Sequence, residues 1–152
     1  MIQIREKNLP YDDLKRIAKI IIDKARPYNT KIIINENEKL ALEVDADGVH
    51  YPVHVLKTLK MRPSFSICGA SCHNLDELKL AQALKLSFAL FSPIQKTNSH
   101  PLIDPIGWKF FSECVNQLDI PIYALGGLNQ GSLTTSWQNG GHGVAMQRAI
   151  WE

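Results

Sequence analysis

The feature that most constrains the fold is an alternation of short apolar runs with amphipathic segments, repeated about seven times along the chain. The runs KIIIN at 31–35 and PIYALGG at 121–127 are rich in apolar and β-branched residues, which is typical of buried strands. The segment 11–25 instead repeats its apolar residues with helical spacing. Repeated strand–helix units predict a parallel sheet with helices packed outside it.

The same patterns place the individual elements along the chain. Predicted strands occupy 1–7, 31–35, 47–51, 65–71, 87–93, 121–127 and 142–146. Predicted helices occupy 11–25, 36–44, 53–60, a segment opening at 74–77, 107–118 and 129–139. Asn74 and Glu77 have the spacing of a capping box at the start of the fourth helix. Because no linker or composition break interrupts the series, we expect 1–152 to form a single domain.

The first predicted strand decides between an open sheet and a barrel. In MIQIREK, the apolar residues Ile2 and Ile4 alternate with Gln3, Arg5 and Lys7. An open sheet covered by helices on both faces disfavours such a polar row, whereas the inward face of a barrel opens onto an active site at the strand C-termini. We therefore predict a (β/α) barrel in which the isoleucines face the helices and the polar side chains point inward.

Composition excludes several classes of function. The chain has 152 residues and a net charge of +2, which is too small to argue for binding to nucleic acid or to a membrane surface. No apolar run reaches the ~18 residues of a membrane-spanning helix, and the N-terminus is unlike a secretory signal. Three cysteines, an odd and low number, favour a reducing compartment. These features predict a cytoplasmic protein.

Seven segments, in order, resemble the superfamily of thiamine phosphate synthase and the TenI-type thiazole tautomerase. They are IQIREK, IIINENEKLALEVDADGVH, GASCHNLDEL, FALFSPIQKTNSHP, PIGWKFF, PIYALGGLN and GHGVAMQRAIW. The later motifs look most like the variant found as the C-terminal module of some Nudix hydrolases. The resemblance implies a (β/α)8 TIM barrel that begins at the family's second strand and stops before its closing helix.

The resemblance also implies a chemistry. The synthase couples a pyrimidine pyrophosphate with a thiazole phosphate and releases pyrophosphate, with Mg2+ as its cofactor. Gln3, Arg5, Lys7 and Asn35 match the positions that contact the pyrimidine and the pyrophosphate. An arginine fork and a lysine point charge suit phosphate oxygens. A solvent-facing strand end is the alternative interpretation of the same charges.

The implied magnesium site departs from the family pattern. Glu36 stands where the family has its first metal carboxylate, and is the one metal ligand that we predict. The second carboxylate position holds Val55, which cannot bind magnesium. His50 and His54 are near in sequence, but imidazole is a poor ligand for so hard a cation.

Two further loops match substrate-binding positions of the family. Thr97 and Ser99 keep hydroxyls in the loop after the predicted strand 87–93, where the alternative is a plain polar loop. Gly126, Gly127 and Gly143 match the phosphate site, which in such barrels commonly lies in the loops after the last two strands. Glycine there lets backbone N–H groups approach an anion, although a Gly-Gly pair can also be an ordinary turn.

His73 is the candidate acid–base group. It follows Ser71, a predicted substrate contact, and matches the catalytic histidine of the tautomerase branch. Imidazole suits proton transfer near neutral pH, while a histidine that caps the following helix is the alternative. A zinc site formed with Cys68 and Cys72 is disfavoured, because Cys72 and His73 would point to opposite faces of a strand.

Three functions remain open from the sequence. The synthase reaction of thiamine biosynthesis is the first, with Arg5, Lys7 and His73 as its catalytic residues. A tautomerase-type reaction with His73 and no metal is the second, and a non-catalytic module that binds a phosphorylated ligand is the third. The expected partners are small phosphorylated thiamine precursors, with no nucleic acid and no membrane. A second copy or another chain would complete the barrel.

Overall fold

The protein is described by a computed structural model that covers residues 1–97 and 102–151. Its parallel strands form a curled seven-stranded sheet whose spatial order follows the chain order. The strands are β1 (Ile2–Ile4), β2 (Ile32–Asn35), β3 (Gly48–Tyr51), β4 (Ile67–Cys72), β5 (Phe88–Phe91), β6 (Ile122–Leu125) and β7 (Gly143–Ala145). This is the predicted fold class, a (β/α) barrel that is not closed by the described residues.

Helices connect successive strands on the outside of the sheet. They are α1 (Tyr11–Ala25), α2 (Glu38–Glu43), α3 (Val53–Leu56), α4 (Leu75–Ala83), α5 (Gly107–Val115) and α6 (Leu133–Gln138). Short 3-10 turns follow α1 at Arg26–Tyr28 and precede α6 at Gln130–Ser132. No helix of the described part of the chain is both long enough and apolar enough to cross a membrane.

The main core lies between the outer face of the sheet and the helices. On α1, Ala18, Ile22 and Ala25 are buried against strand residues such as Ile4 and Ile34. Burying one such isoleucine stabilises the fold by roughly 1.5–3 kcal/mol, and this outer layer therefore supplies much of the driving force for folding.

Strand alternation fixes which side chains face inward. Ile34 and Val49 belong to the outer core, and the next residue on each strand, Asn35 or His50, consequently points to the inner face. On β1, Ile4 is buried in the outer core as predicted, whereas Ile2 is 47% exposed. Ile2 remains accessible because β1 pairs, within the described residues, only with β2.

Candidate functional site

Most of the predicted site residues meet at one end of the sheet. Parallel strands bring their carboxyl ends to one edge, and Asn35 and Ser71 lie at or near those ends on β2 and β4. Arg5 and Lys7 follow β1 directly and are exposed, whereas Gln3 is half-buried within it. These residues, together with Glu36 and His73 just beyond their strands, define what we call the carboxyl-end cluster.

His50 lies at the base of the carboxyl-end cluster. Its Nε2 is 2.8 Å from Ser71 Oγ, and its ring stacks on Phe88 with centroids 5.8 Å apart. Burial, with a smaller contribution from the charge of Arg5, lowers the pKa of His50 to about 4, and the ring is therefore neutral at pH 7. Its buried Nδ1 has no hydrogen-bond partner among the described residues.

From the sequence, His50 was predicted only to be a poor metal ligand, and its place in the site was not predicted. The inward position of His50 could have been predicted, because His50 alternates with the outward-facing Val49 and is in register with Asn35. Two inward-facing polar residues on adjacent strands predict a shared polar layer inside a barrel.

The predicted metal ligand Glu36 is already paired. Its Oε1 lies 3.0 Å from His54 Nε2, and its backbone takes a left-handed conformation with φ of 63°. Val55 packs against the outer core. Among residues 1–97 and 102–151, no group of three or more acidic, histidine or cysteine side chains is arranged to hold a metal ion. Glu36 is therefore the one predicted metal carboxylate at this end of the sheet, and a magnesium ion held there would take its remaining ligands from water and from substrate phosphates.

His73 lies just past the end of β4 and is held from two sides. Its ring Nδ1 donates a hydrogen bond to the carbonyl oxygen of Ser92, at 2.9 Å, just past the end of β5. Its backbone N–H donates to Glu77 Oε2 at 2.7 Å. The alternative predicted for His73, a cap of the following helix, is not what the structure shows, because Asn74 caps α4. The ring of His73 is instead held by the residue that follows β5.

Comparison with known proteins agrees with this geometry. The family model for thiamine monophosphate synthase matches residues 1–150. The chain belongs to this family. A protein of Aquifex aeolicus (strain VF5), provisionally named thiamine-phosphate synthase 2, is 39% identical over 150 residues, which is 95% of this chain and 79% of the relative. The thiamine-phosphate synthase of Methanobrevibacter smithii is 29% identical over 155 residues, covering 100% of this chain and 74% of the relative.

A solved structure shows the same architecture. The thiamine phosphate pyrophosphorylase from Pyrococcus furiosus superposes with a TM-score of 0.79 at 27% identity. The match covers 95% of this chain and 70% of that structure. The seven parallel strands of this chain are therefore those of a thiamine monophosphate synthase barrel.

Within this synthase family fold, Gly126 and Gly127 follow β6 at the carboxyl end. Both have positive φ, 100° and 70°, which favours glycine. A Cβ on Gly127 would lie 2.6 Å from the carbonyl oxygen of Lys96, and one on Gly126 would lie 2.8 Å from Pro93 Cα. Close packing against the loop after β5 is thus a structural reason for this pair of glycines.

The structure places the other loop candidates differently. Gly143 is buried at the start of β7, in register with Tyr123, and does not follow its strand as Gly126 does. Thr97 is half-buried in the loop after β5 and has an interaction partner. Ser99 lies outside the described residues. The carboxyl-end cluster therefore does not include Gly143.

A separate polar cavity of about 350 Å³ lies at the opposite, amino end of the sheet. Arg26 contributes to its lining and pairs with Asp45 at 3.1 Å. Lys31 also lines the cavity and pairs with Asp47 at 2.7 Å. Because these cations already have carboxylate partners, the cavity is poorly suited to a phosphate group.

Proposed function

We propose that the protein is a cytoplasmic thiamine-phosphate synthase, which joins a pyrimidine pyrophosphate to a thiazole phosphate. The bond between the pyrimidine methylene carbon and the pyrophosphate oxygen breaks, and the pyrophosphate leaves with the electron pair. The thiazole ring nitrogen then donates its lone pair to the resulting cation and forms the new C–N bond. Pyrophosphate is the second product.

The observation that carries this proposal is the convergence of Arg5 with the inner polar layer of Asn35, His50 and Ser71. Arg5 is close enough to lower the pKa of His50, so its charge acts at the mouth of the barrel. A cation beside a neutral imidazole adds positive charge there, which suits a departing pyrophosphate.

Each residue of the proposed site has a separate task. Arg5, Lys7 and Asn35 hold the pyrophosphate, Gln3 and Ser71 contact the pyrimidine end, and His73 exchanges a proton with the bound substrate. The loop hydroxyls and glycines receive the thiazole phosphate. The predicted members of that set are Thr97, Ser99, Gly126 and Gly127, without Gly143, which is buried at the start of β7.

The test is a turnover assay with the purified chain, both substrates and a divalent cation, with thiamine phosphate as the measured product. Arg5→Ala should lower kcat/KM by roughly 10²-fold, as expected for the loss of a charged donor that stabilises a leaving anion. Arg16→Ala is the matched control, since Arg16 lies on α1 and pairs with the exposed Asp13. Binding of thiazole phosphate without any product would contradict the synthase and favour a binding module.

The fixed ring of His73 favours a second candidate, a tautomerase-type reaction on a thiazole phosphate. The pairing of Glu36 with His54 also favours a reaction that needs no metal bound to Glu36. This candidate predicts incorporation of deuterium from solvent into the thiazole compound, without a pyrimidine substrate and without magnesium. His73→Ala should abolish the exchange, whereas the synthase alone predicts no exchange under these conditions.

A further inference from the structure

We propose that an ion pair between Glu77 and Lys57 positions His73, so that ring Nε2 is the atom that exchanges a proton with the substrate. This inference rests on the acid–base role of His73 in the proposed function. It assigns a task to two residues outside the carboxyl-end cluster, one on α4 and one at the end of α3.

Glu77 uses both of its carboxylate oxygens. Oε1 lies 2.8 Å from Lys57 Nζ, and Oε2 accepts the backbone N–H of His73 at 2.7 Å. Burial alone would raise the pKa of Glu77, but the hydrogen bonds from Lys57 and the His73 amide outweigh this effect and lower it. The buried carboxylate is therefore ionised, and Lys57 neutralises it.

The usual capping role does not account for this arrangement. The side chain of Asn74 already caps α4 by accepting the N–H of Glu77 at 2.9 Å. In a capping box the carboxylate would return to the N–H of Asn74, whereas here it reaches one residue further, to His73. The Glu77 carboxylate thus fixes the backbone of His73, one residue before the cap of α4.

The ring of His73 is fixed by a second contact. A carbonyl oxygen can only accept, so the 2.9 Å contact between Nδ1 and the Ser92 carbonyl places the hydrogen on Nδ1. The hydroxyl of Ser92, which could donate to an unprotonated Nδ1, is farther away, at 3.4 Å. The neutral ring then has an unprotonated Nε2, which is the atom available to accept a proton. With the backbone held by Glu77 and the ring held by Ser92, the direction of Nε2 is set before the substrate binds.

The tautomer of His73 can be measured directly. We would record the 15N shifts of the histidine rings at a pH where imidazoles are neutral, and assign His73 by comparison with His73→Gln. The test variants are Glu77→Gln, which keeps one acceptor for the His73 amide but loses the ion pair, and Lys57→Met. Glu43→Gln is the matched control, because it breaks the Lys15–Glu43 ion pair between α1 and α2.

The wild-type chain should show His73 with its hydrogen on Nδ1. Both test variants should shift this ring towards a mixture of tautomers and lower kcat about tenfold with little change in KM, since a small misplacement of a catalytic group costs up to ~10²-fold. The control should change neither quantity. Lys57→Met changes a largely exposed side chain and remains informative if Glu77→Gln does not fold.

Unchanged His73 ring shifts in both folded variants would overturn the inference, as would a wild-type ring with its hydrogen on Nε2. Failure of the proposed function gives a different result. In that case the ring shifts respond as predicted, but the wild-type chain neither forms thiamine phosphate nor exchanges the thiazole proton.

Discussion

At the scale of single residues, His50 has the most unusual environment in the carboxyl-end cluster. It is 2% exposed, and its ring is hydrogen-bonded to the Ser71 hydroxyl. Burial and the charge of Arg5 keep the ring neutral. A neutral imidazole can fix the Ser71 hydroxyl without adding charge beneath the proposed pyrophosphate site. The same burial makes His50 a source of acid sensitivity.

We expect the free energy of unfolding to fall as the pH is lowered from about 6.5 to about 4. The unfolded chain binds a proton on His50 below its ordinary pKa of 6.5, whereas the folded chain does so only near 4. Full titration corresponds to about 3 kcal/mol of lost stability. Urea unfolding across this range should show a much smaller dependence for His50→Gln.

His54→Gln serves as the control for this experiment, because His54 is exposed. Its unfolding free energy should keep the dependence on pH seen in the wild-type chain. Equal dependence in His50→Gln and the wild-type chain would show that another group is responsible.

Some residue positions could be predicted from the sequence and others could not. Alternation along β1 indicated that Gln3 lies inside, because the period of a strand is fixed at two residues. The pairing of Glu36 with His54 was beyond such reasoning. It joins a residue in the turn after β2 to a residue on α3, and the backbone at Glu36 is left-handed.

At the scale of elements, the turn after β6 depends on the loop that follows β5. The N–H of Ile94 donates to the carbonyl of Leu125 at 2.9 Å, and the N–H of Gln95 donates to the carbonyl of Gly126 at 3.0 Å. Two adjacent loops at the carboxyl end are thereby joined through their backbones. A side chain at Gly127 would separate them.

Gly127→Ala should destabilise the protein more than Gly107→Ala. Both glycines have φ near 70°, so each alanine carries the left-handed penalty of roughly 1–2 kcal/mol. Only Gly127 would also bring its Cβ against Lys96, because a Cβ on Gly107 meets no described atom within 4 Å. Overpacking of this kind adds roughly 1–3 kcal/mol.

Urea unfolding of the two variants measures this difference. Gly107 begins α5 and has the same backbone requirement, and it therefore separates conformational strain from close packing. Equal destabilisation by the two substitutions would show that contact between the loops contributes nothing.

At the scale of the whole molecule, the strand order was predictable because strand–helix repeats impose a parallel sheet in sequence order. The ends of the helices were less predictable from the sequence. The helix predicted over 107–118 ends at Val115, and the one predicted over 129–139 opens with a 3-10 turn, because hydrophobic periodicity does not identify the hydrogen bonds of a terminal turn. In the described ranges, β1 and β7 each pair with one neighbour, which leaves two strand edges open.

We expect the purified chain of 152 residues to self-associate through these edges. Sedimentation velocity should show a species larger than a monomer, and Ile2→Lys should shift it towards the monomer by placing a charge on the β1 edge. Ile20→Lys is the matched control, because Ile20 is 46% exposed and Ile2 is 47% exposed, but Ile20 lies on α1. A wild-type monomer at all concentrations would contradict the expectation.

The central claim, that the carboxyl-end cluster holds the pyrophosphate, is tested most directly by titrating the 15N-labelled chain with inorganic pyrophosphate and following the backbone amide shifts. The account predicts that the shifts concentrate at 5–7, 35–36 and 71–73, and that Arg5→Ala weakens the binding. Shifts confined to 26–31 and 45–47, around the cavity at the amino end, would contradict it.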